Sequence, residues 1–487
     1  MADELKNKAT QGVFWSAVER YSLQVVQFLL KLVIARILIP DDYGLIGMIA
    51  IFMAVSQIFI DGGFSNALIQ KKDRTETDYS TVFFINFGIS VLIYLILFFG
   101  APLIANFYKQ PLLISIIRIY SLNLIINSLV AVNKVKLTVI VDFKTLSKIS
   151  LASAIISGIV GIGCAYSGMG VWTLVVQQLL NSLLNVILSF YYVKWRPKLV
   201  FSMKSFHSMF NYGSKLLIAS LIHALYENLY NLFIGKKFTS ATLGLFTRAQ
   251  DFTNFAGSNV SAILKRVSFP VLSEIQDDDE RLMSVYKKYI KTATWATFPM
   301  LLGLCGIAKP MVMVILTEKW MGCVPYLQIL CFAMLWDCVT QVNLNLLYVK
   351  GHSDWVLRLE IIKKSIAFTI LFVSLGFGMY IICLGKAVYS IIALYLNTYY
   401  TKKLFNYGFW AQMKDLLPQL LLSLVMLGCC LATSYLIPNA LIGLIASLLI
   451  GVAVYLGGSH LLKLYGYTEF CNIIRSKVHK CFSFCSY

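Results

Sequence analysis

Long apolar segments recur along the whole chain, and they limit what it can fold into more than any other feature. A helix can cross a bilayer when roughly 20 consecutive residues are mostly apolar. Fourteen segments approach this length, at 13–38, 43–62, 80–105, 111–133, 148–167, 170–193, 213–235, 248–270, 290–315, 324–349, 361–379, 380–400, 416–437 and 440–463. Only 13% of the 487 residues are charged, whereas a soluble domain has about a quarter. We therefore predict an all-α integral membrane protein with about 14 transmembrane helices.

Basic residues are distributed unevenly between alternate connections of these segments. One side of the membrane receives 31 of the 42 Lys and Arg residues, and the other side receives eight. Cytoplasmic loops carry the excess of Lys and Arg, so we expect both termini in the cytoplasm. This bias accounts for the net charge of +19 without nucleic acid as a partner. It also supports 248–270, the least apolar segment, because omitting it would move every later loop to the other side.

The first segment combines the length of a span with a polar stripe. The polar side chains are Ser16, Arg20, Gln24, Gln27 and Lys31. Their spacing places them within about 80° of one helical face, at ~100° per residue. A charge near the bilayer centre costs about 2.5–3.5 kcal/mol even on mild scales, so this face cannot point at lipid. We expect it to face a protein interior or a water-filled cavity.

Two interpretations of this stripe differ in what the polar groups do. Cations with amides suit an anionic, hydroxyl-rich ligand, because a guanidinium forms paired charge-assisted bonds to phosphate and an amide both donates and accepts. Alternatively, the stripe joins helices while its two cations extend toward the membrane surfaces. Gln24 and Gln27 lie near the predicted bilayer centre and cannot reach a surface, which favours the ligand-binding cavity.

Three further predicted spans carry polar stripes. The seventh has Ser220, His223, Glu227, Tyr230 and Asn231, the eighth has Asp251, Asn254, Ser258 and Lys265, and the tenth has Asp337, Gln341, Asn345 and Tyr348. One shared cavity explains four stripes more simply than separate packing contacts do. Glu227 with His223 suits a protonation or cation site. Pairing of Glu227 with Arg20 or Lys31 is an equal alternative.

A single basic residue stands apart from these stripes. Arg118 is the one cation on its predicted span, and Asn123 and Asn127 point elsewhere on the helix. It is either a ligand-binding group of the cavity or a cation that packs helices together. The sequence does not favour one of these interpretations over the other.

An internal repeat links the two halves of the chain. IARILIPDDYGL at 34–45 aligns with IGKKFTSATLGL at 234–245, a shift of 200 residues. In each copy a predicted span leads through a short outside loop into the next span. An even number of spans in each half gives the repeats the same orientation, so we expect a pseudo-two-fold axis along the membrane normal.

The sequence contains no pattern typical of an enzyme or of a metal site. No His, Cys or carboxylate cluster has metal-ligand spacing, and no nucleophile has a base at a recognisable distance. The loops are too short for a separate soluble domain, which argues against a membrane polymerase or a lipid-dependent glycosyltransferase. The eleven cysteines are scattered, so we expect no disulfide framework. We expect no catalytic residue, no metal and no cofactor.

Several runs of sequence resemble one family of transporters. They are ARILIPDDYGLIGM, DGGFSNALIQKKDRTETDYSTVFFIN, GMGVWTLVVQQL, VKWRPKLVFS, LGLFTRAQDF, RVSFPVLSEIQDDDERL and LTEKWMGCVPYLQIL, which cover about residues 10–350. In this order they resemble bacterial lipid-linked oligosaccharide flippases of the colanic-acid and teichuronic-acid exporter type. These flippases belong to the multidrug/oligosaccharidyl-lipid/polysaccharide exporter superfamily.

The resemblance implies a fold and a location. The fold is two six-helix bundles, 1–200 and 201–405, around a central cavity, followed by two additional transmembrane helices in 406–465 and a basic cytoplasmic tail, 466–487. The location is the bacterial cytoplasmic (inner) membrane.

The resemblance also implies a function. By alternating access, such a protein moves a polyprenyl-diphosphate-linked oligosaccharide from the cytoplasmic to the periplasmic leaflet for surface polysaccharide biosynthesis. Cavities of this family tend to be cationic, which matches Arg20 and Lys31. Many relatives have an acidic residue where this chain has Tyr230, and Glu227, one turn away, is the candidate substitute. Whether a coupling ion, H⁺ or Na⁺, drives the cycle is left open.

The expected partners are the lipid-linked oligosaccharide, membrane lipids, and the polysaccharide polymerase and chain-length machinery, with no nucleic acid. Two alternatives remain, a cation-coupled multidrug exporter of the same fold and a non-transport membrane component of a glycan-assembly complex. A drug exporter would line its cavity with carboxylates and aromatic rings, and the cations argue against it. The predicted cavity residues are Arg20, Gln24, Gln27, Lys31, Arg118, His223, Glu227, Asn231, Asp251, Asn254, Asp337 and Gln341.

Overall fold

The computed structural model describes residues 22–71 and 73–472, without the side chains of 211, 212, 215, 219, 258–270 and 353. All regular secondary structure in this part of the chain is helical, which confirms the predicted class. The helices are α1 (22–37), α2 (Pro40–Asp61), α3 (Phe64–Gln70), α4 (Glu76–Tyr108), α5 (Leu113–Tyr120), α6 (Leu122–Val139), α7 (Phe143–Tyr166), α8 (Val171–Val193), α9 (Met203–Lys237), α10 (Ser240–Glu274), α11 (Asp279–Ile315), α12 (Val324–Met334), α13 (Asp337–Val349), α14 (Ser353–Ser374), α15 (Met379–Phe405), α16 (Phe409–Leu436), α17 (Ala440–Leu461) and α18 (465–472). Short 3₁₀ helices at Glu318–Cys323 and Leu375–Phe377 precede α12 and α15.

Eleven helical stretches in the described part of the chain are long and apolar enough to cross a membrane. The protein is therefore a multi-pass membrane protein. The predicted number of 14 spans is not confirmed, because three segments fall outside this set. α1 is described only from residue 22, α10 carries Asp251 and Asn254, and α14 carries Lys363 and Lys364. These three spans remain predictions.

The chain divides into two compact units, with the division between Gly244 and Leu245. In the first unit α9 packs against α2, and α6 packs against both α4 and α8. In the second unit α11 packs against α12, α16 and α17. Helix α9 thus packs within the first unit, although it follows the predicted bundle boundary at residue 200. The six-helix bundles themselves remain a prediction.

The span formed by α2 and α3 is interrupted at Gly62 and Gly63. Both residues have a positive φ, 51° and 72°, which residues with a side chain rarely adopt. Gly63 also lies against the backbone of Gly213 in α9, since a Cβ added to Gly63 would stand 2.5 Å from the Gly213 carbonyl oxygen. The interruption therefore brings two helix backbones into direct contact.

Polar contacts hold the connection that follows α3. The Thr75 hydroxyl accepts from the backbone N–H of Asp78 at 3.2 Å, and the Asp78 carboxylate accepts from the Thr75 N–H at 2.8 Å. This reciprocal arrangement caps α4. Lys71 Nζ pairs with the same carboxylate at 2.7 Å, and Trp195 Nε1 donates to Glu76 at 2.6 Å. These contacts join the end of α3 to the start of α4 and join α4 to the segment that follows α8.

The two copies of the predicted repeat cross each other reciprocally. α1 ends at residue 37 and α2 begins at Pro40, while α9 ends at Lys237 and α10 begins at Ser240, a shift of 200 residues at both positions. Gly44 lies against the carbonyl of Ser240, and Gly244 lies against the carbonyl of Pro40, so that a Cβ at either glycine would clash. A contact in which each copy presents the same positions to the other is what a two-fold axis requires. The crossing therefore agrees with the predicted pseudo-symmetry.

Candidate functional site

Helix α1 has two exposed faces of opposite character. Gln27 and Lys31 are exposed. Val25, Leu29 and Val33 are also exposed, by 47%, 55% and 42%. At about 100° per residue, these apolar residues lie roughly opposite the polar ones. One face suits lipid, and the other does not.

The polar face of α1 is also its protein-facing side. Further along the helix the same face is formed by Ile34 and Ala35, both 0% exposed. Gln24, which is half-buried, belongs to this face as well. Arg20 and Ser16, the remaining predicted members of the stripe, lie outside the described residues.

Helix α9 repeats this arrangement. Ser220, His223 and Glu227 are exposed, whereas Ile218 and Ile222, exposed by 58% and 53%, lie on the opposite side of the helix. The stretch from Leu216 to Lys237 is long and apolar enough to span a membrane. A histidine and a carboxylate are therefore exposed within a span.

The polar face of α9 likewise continues into the interior of the first unit. Tyr230 is 7% exposed and Ile234 is 0% exposed. Asn231 is half-buried, and its Oδ1 has no hydrogen-bond partner among the described residues. A charged side chain within a membrane span costs free energy when it faces lipid. A water-filled space beside α9 therefore accounts for the exposed His223 and Glu227 better than lipid does.

In the second unit, Asp251 has a protein partner. Its Oδ2 lies 3.7 Å from Nη1 of Arg248, one turn earlier on α10. Arg248 is only 2% exposed, and its guanidinium lies 5.2 Å from the ring of Trp320. Asp251 thus stabilises a buried cation, a structural role that the sequence did not indicate. Asn254 is exposed on the same helix.

The polar stripe of the tenth predicted span lies on α13, beginning at its first residue. Asp337 is half-buried in the first turn of this helix, where a carboxylate interacts favourably with the helix dipole. Gln341 is half-buried and Asn345 is 2% exposed, while Tyr348 is 44% exposed. Only part of this stripe is accessible.

Arg118 has a local partner in the first unit. Its Nε donates to the carbonyl oxygen of Phe98 at 3.3 Å, and its guanidinium lies 4.5 Å from the Phe98 ring centre. The contact joins α5 to α4. It favours helix packing over ligand binding as the role of Arg118.

The structure contains a buried amide cluster that the sequence analysis missed. Asn343 Oδ1 accepts from Tyr286 at 2.7 Å, from Thr401 at 2.7 Å and from Gln412 Nε2 at 3.1 Å. Asn343 Nδ2 donates to Gln412 Oε1 at 3.1 Å. These four residues, from α13, α11, α15 and α16, are all 0% exposed. The cluster ties α16 to the rest of the second unit.

An ionic pair extends this cluster. The hydroxyl of Tyr407, between α15 and α16, donates to Asp415 Oδ2 at 2.7 Å, and Lys291 Nζ lies 3.4 Å from Asp415 Oδ1. Burial, together with the neighbouring carboxylate, raises the pKa of Tyr407. The phenol therefore stays protonated as a donor. These residues are structural partners of one another.

A cavity in the first unit was also missed. It lies at the interruption between α2 and α3 and is lined partly by Gln57, Asp61 and Asn66. The signal was present in the sequence, because Asp61 and a glycine pair end an otherwise apolar segment. The same residues belong to the DGGFSNALIQ run that carries the family resemblance. Among the described residues, no group of three or more His, Cys, Asp or Glu could hold a metal ion.

Comparison with known proteins places the chain in a family. The profile of the family described as polysaccharide biosynthesis protein matches residues 33–325. The teichuronic acid biosynthesis protein TuaB of Bacillus subtilis (strain 168) is 25% identical over 91% of this chain and 94% of its own length. The succinoglycan biosynthesis transport protein ExoT of Rhizobium meliloti (strain 1021) is 23% identical over 92% of this chain and 91% of its own.

Among solved structures, the lipid II flippase MurJ in an inward closed conformation has a similar fold. The TM-score is 0.73 with 16% sequence identity, over 92% of this chain and 98% of that chain. This likeness confirms the predicted fold class, and the family match confirms the resemblance that the sequence motifs indicated. The chain belongs to the polysaccharide biosynthesis protein family.

Proposed function

We propose that this protein is a flippase that moves a polyprenyl-diphosphate-linked oligosaccharide across the membrane. The observation that carries the proposal is the pair of opposite faces on α1 and α9. On each helix the exposed apolar residues lie on one side, and the exposed polar residues lie on the side that continues into the protein interior. A transported polar ligand needs such a lining.

The chemistry of the lining suits this substrate. A diphosphate cannot enter hydrocarbon without groups that replace its water. Lys31 and Arg20 supply cations, and Gln24 and Gln27 supply amides that bind hydroxyls and phosphate oxygens. The polyprenyl tail stays in lipid. Glu227, on α9, serves either as a partner of these cations or as a protonation site.

The relatives support transport over catalysis. One is named a transport protein, another is named for teichuronic acid biosynthesis, and the solved structure of similar fold is a lipid II flippase. We therefore propose that this chain translocates its substrate and does not act as an enzyme.

Direction and location complete the proposal. The family resemblance favours the bacterial cytoplasmic (inner) membrane, and the loop charges favour both termini in the cytoplasm. Transport then runs from the cytoplasmic to the periplasmic leaflet by alternating access of two six-helix bundles, 1–200 and 201–405. The polymerase and chain-length machinery would receive the flipped unit.

Mass spectrometry of lipid-linked sugars in cells depleted of this protein tests the proposal. We expect a completed polyprenyl-diphosphate oligosaccharide to accumulate while surface polymer is lost. That result would place the block at translocation and identify the sugar. A normal pool of intermediates with intact polymer would contradict the proposal, and increased sensitivity to cationic drugs would then favour a drug exporter.

A further inference from the structure

A cavity of about 280 Å³ lies in the first unit, beside the interruption between α2 and α3. Its polar lining comes from Gln57 and Asp61 of α2, Asn66 of α3 and Ser220 of α9, and its apolar lining includes Leu216 and Leu217 of α9. The volume is close to the lower end of small-molecule sites, about 300 Å³. It can therefore hold one small polar group of a larger ligand.

Backbone contacts fix the part of the cavity wall that Gly63 forms. Gly63 brings the interruption between α2 and α3 into direct contact with Gly213 of α9, and the positive φ of Gly63 excludes most other residues there. Ser65 Oγ donates to Asp61 Oδ1 at 2.5 Å, which orients the carboxylate. The polar groups are thus held by the main chain and by a neighbouring hydroxyl before any ligand arrives.

The lining distinguishes between classes of ligand. A carboxylate repels a diphosphate, so the phosphate groups of the substrate do not suit this cavity. A bound cation needs about six oxygen ligands at 2.3–2.6 Å. The cavity has room for roughly nine waters at ~30 Å³ each, so it is larger than a closely coordinated cation requires. A sugar ring suits both the polar and the apolar lining of the cavity. Its hydroxyls hydrogen-bond with a carboxylate and amides, and its C–H groups pack against leucine side chains.

We propose that the cavity at Gln57, Asp61, Asn66 and Ser220 is a subsite for one sugar residue of the lipid-linked oligosaccharide. This inference rests on the proposed function. Ser220 is also the first member of the polar face that continues through His223 and Glu227. The sugar would therefore contact the same face of α9 that lines the proposed path. Asp61 lies near the predicted cytoplasmic end of its span, the side from which the substrate enters.

Binding of two probes to the purified full-length protein tests this subsite. One probe is the polyprenyl-diphosphate oligosaccharide pool from depleted cells, and the other is polyprenyl diphosphate without sugar. We expect the wild type to prefer the sugar-bearing lipid. Asp61→Asn, Gln57→Ala and Asn66→Ala should each reduce that preference about tenfold to a hundredfold. The two alanine variants remove hydrogen bonds to sugar hydroxyls, and Asp61→Asn replaces charge-assisted bonds with weaker neutral ones. Binding of the bare diphosphate should stay unchanged.

Asn228→Ala is the matched control. This amide lies on α9 and donates to the carbonyl oxygen of Ala224 on its own helix at 2.9 Å, so its loss should change neither affinity. Asn66 is exposed, so Asn66→Ala keeps the test valid if Asp61→Asn does not fold.

Different outcomes separate the two proposals. Full sugar preference in folded Asn66→Ala and Gln57→Ala would overturn the subsite and leave the flippase proposal intact. Equal loss of both probes in these variants would also overturn the subsite, because the cavity would then act on the lipid diphosphate. A folded wild type that binds neither probe would contradict the proposed function itself.

Discussion

The amide cluster of the second unit and the polar faces of the first unit use the same functional groups in opposite ways. In the cluster, the side chains of Asn343, Gln412, Tyr286 and Thr401 are fully buried and bond to one another. On α9, the side chain of Glu227 is exposed within a span. Composition alone would not separate the two regions.

The two regions differ in what supplies the hydrogen-bond partners of their polar side chains. A buried polar group without a partner costs about 1–3 kcal/mol, so the cluster is stable only as a closed set. An exposed polar group within a span needs water or a ligand. Polar residues in membrane helices can therefore be sorted by their partners, and substitutions in the two regions should affect different quantities.

Asn343→Leu should have the largest effect on stability. It leaves Tyr286, Thr401 and Gln412 without their shared acceptor, so the free energy of unfolding should fall by about 3 kcal/mol. Thermal unfolding of the purified protein measures this. Asn66→Leu, at an exposed asparagine of the first unit, should change stability by less than about 0.5 kcal/mol. Equal effects of the two variants would show that the amide cluster does not stabilise the protein more than an exposed asparagine does.

Gly44→Ala and Gly244→Ala should have the next largest effect on stability. Each should lower the free energy of unfolding by about 1–3 kcal/mol, because a Cβ would force the two repeat copies apart. The reciprocal geometry predicts similar losses for both. Gly163→Ala in α7, with no atom within 4 Å of the added Cβ, should instead stabilise by about 0.4–1 kcal/mol. Melting temperatures of the three variants decide this, and a loss at only one of the crossing glycines would argue against the reciprocal contact.

Arg118→Gln should cost about 1 kcal/mol, since it removes the ring contact and the bond to the Phe98 carbonyl. Transport should stay within about twofold of the wild type. A tenfold loss of transport at unchanged stability would instead place Arg118 in the ligand path. Translocation assays and thermal melts on the same preparation separate these results.

Glu227→Gln should change stability least, by less than about 0.5 kcal/mol, because the exposed carboxylate is not part of a closed set. Transport should nevertheless fall at least about tenfold, which is roughly 1.4 kcal/mol of lost interaction with substrate or cation. The measurement is the initial rate of lipid-linked sugar translocation. A destabilised protein with unchanged rate per folded molecule would make Glu227 a packing residue.

The sequence predicts those features that depend on local periodicity. The polar faces of α1 and α9 follow from the spacing of Gln24, Gln27 and Lys31 and of His223 and Glu227, because a helix has 3.6 residues per turn. The repeat register of 200 residues was likewise visible in the sequence and agrees with the helix boundaries. Both features can be recognised from residues that lie close together in the sequence.

Features that depend on distant partners were not predictable. Tyr286 and Gln412 are 126 residues apart in the chain, and no local pattern marks them as neighbours. The pairing of Asp251 was not predictable either, because it depends on the burial of Arg248 beside Trp320, which is 72 residues away in the chain. The predicted and observed numbers of spans differ for a related reason: α10 and α14 carry polar residues, and the environment of such residues depends on packing and not on hydropathy.

The proposed flippase function can be measured as translocation by the purified protein in liposomes. The lipid-linked oligosaccharide from depleted cells is placed in both leaflets, and a glycosidase outside the vesicles reports the fraction that becomes accessible. We expect the wild type to expose the protected half of the substrate and Glu227→Gln to do so at least about tenfold more slowly. Equal rates in wild-type, Glu227→Gln and protein-free liposomes would contradict the proposed flippase function.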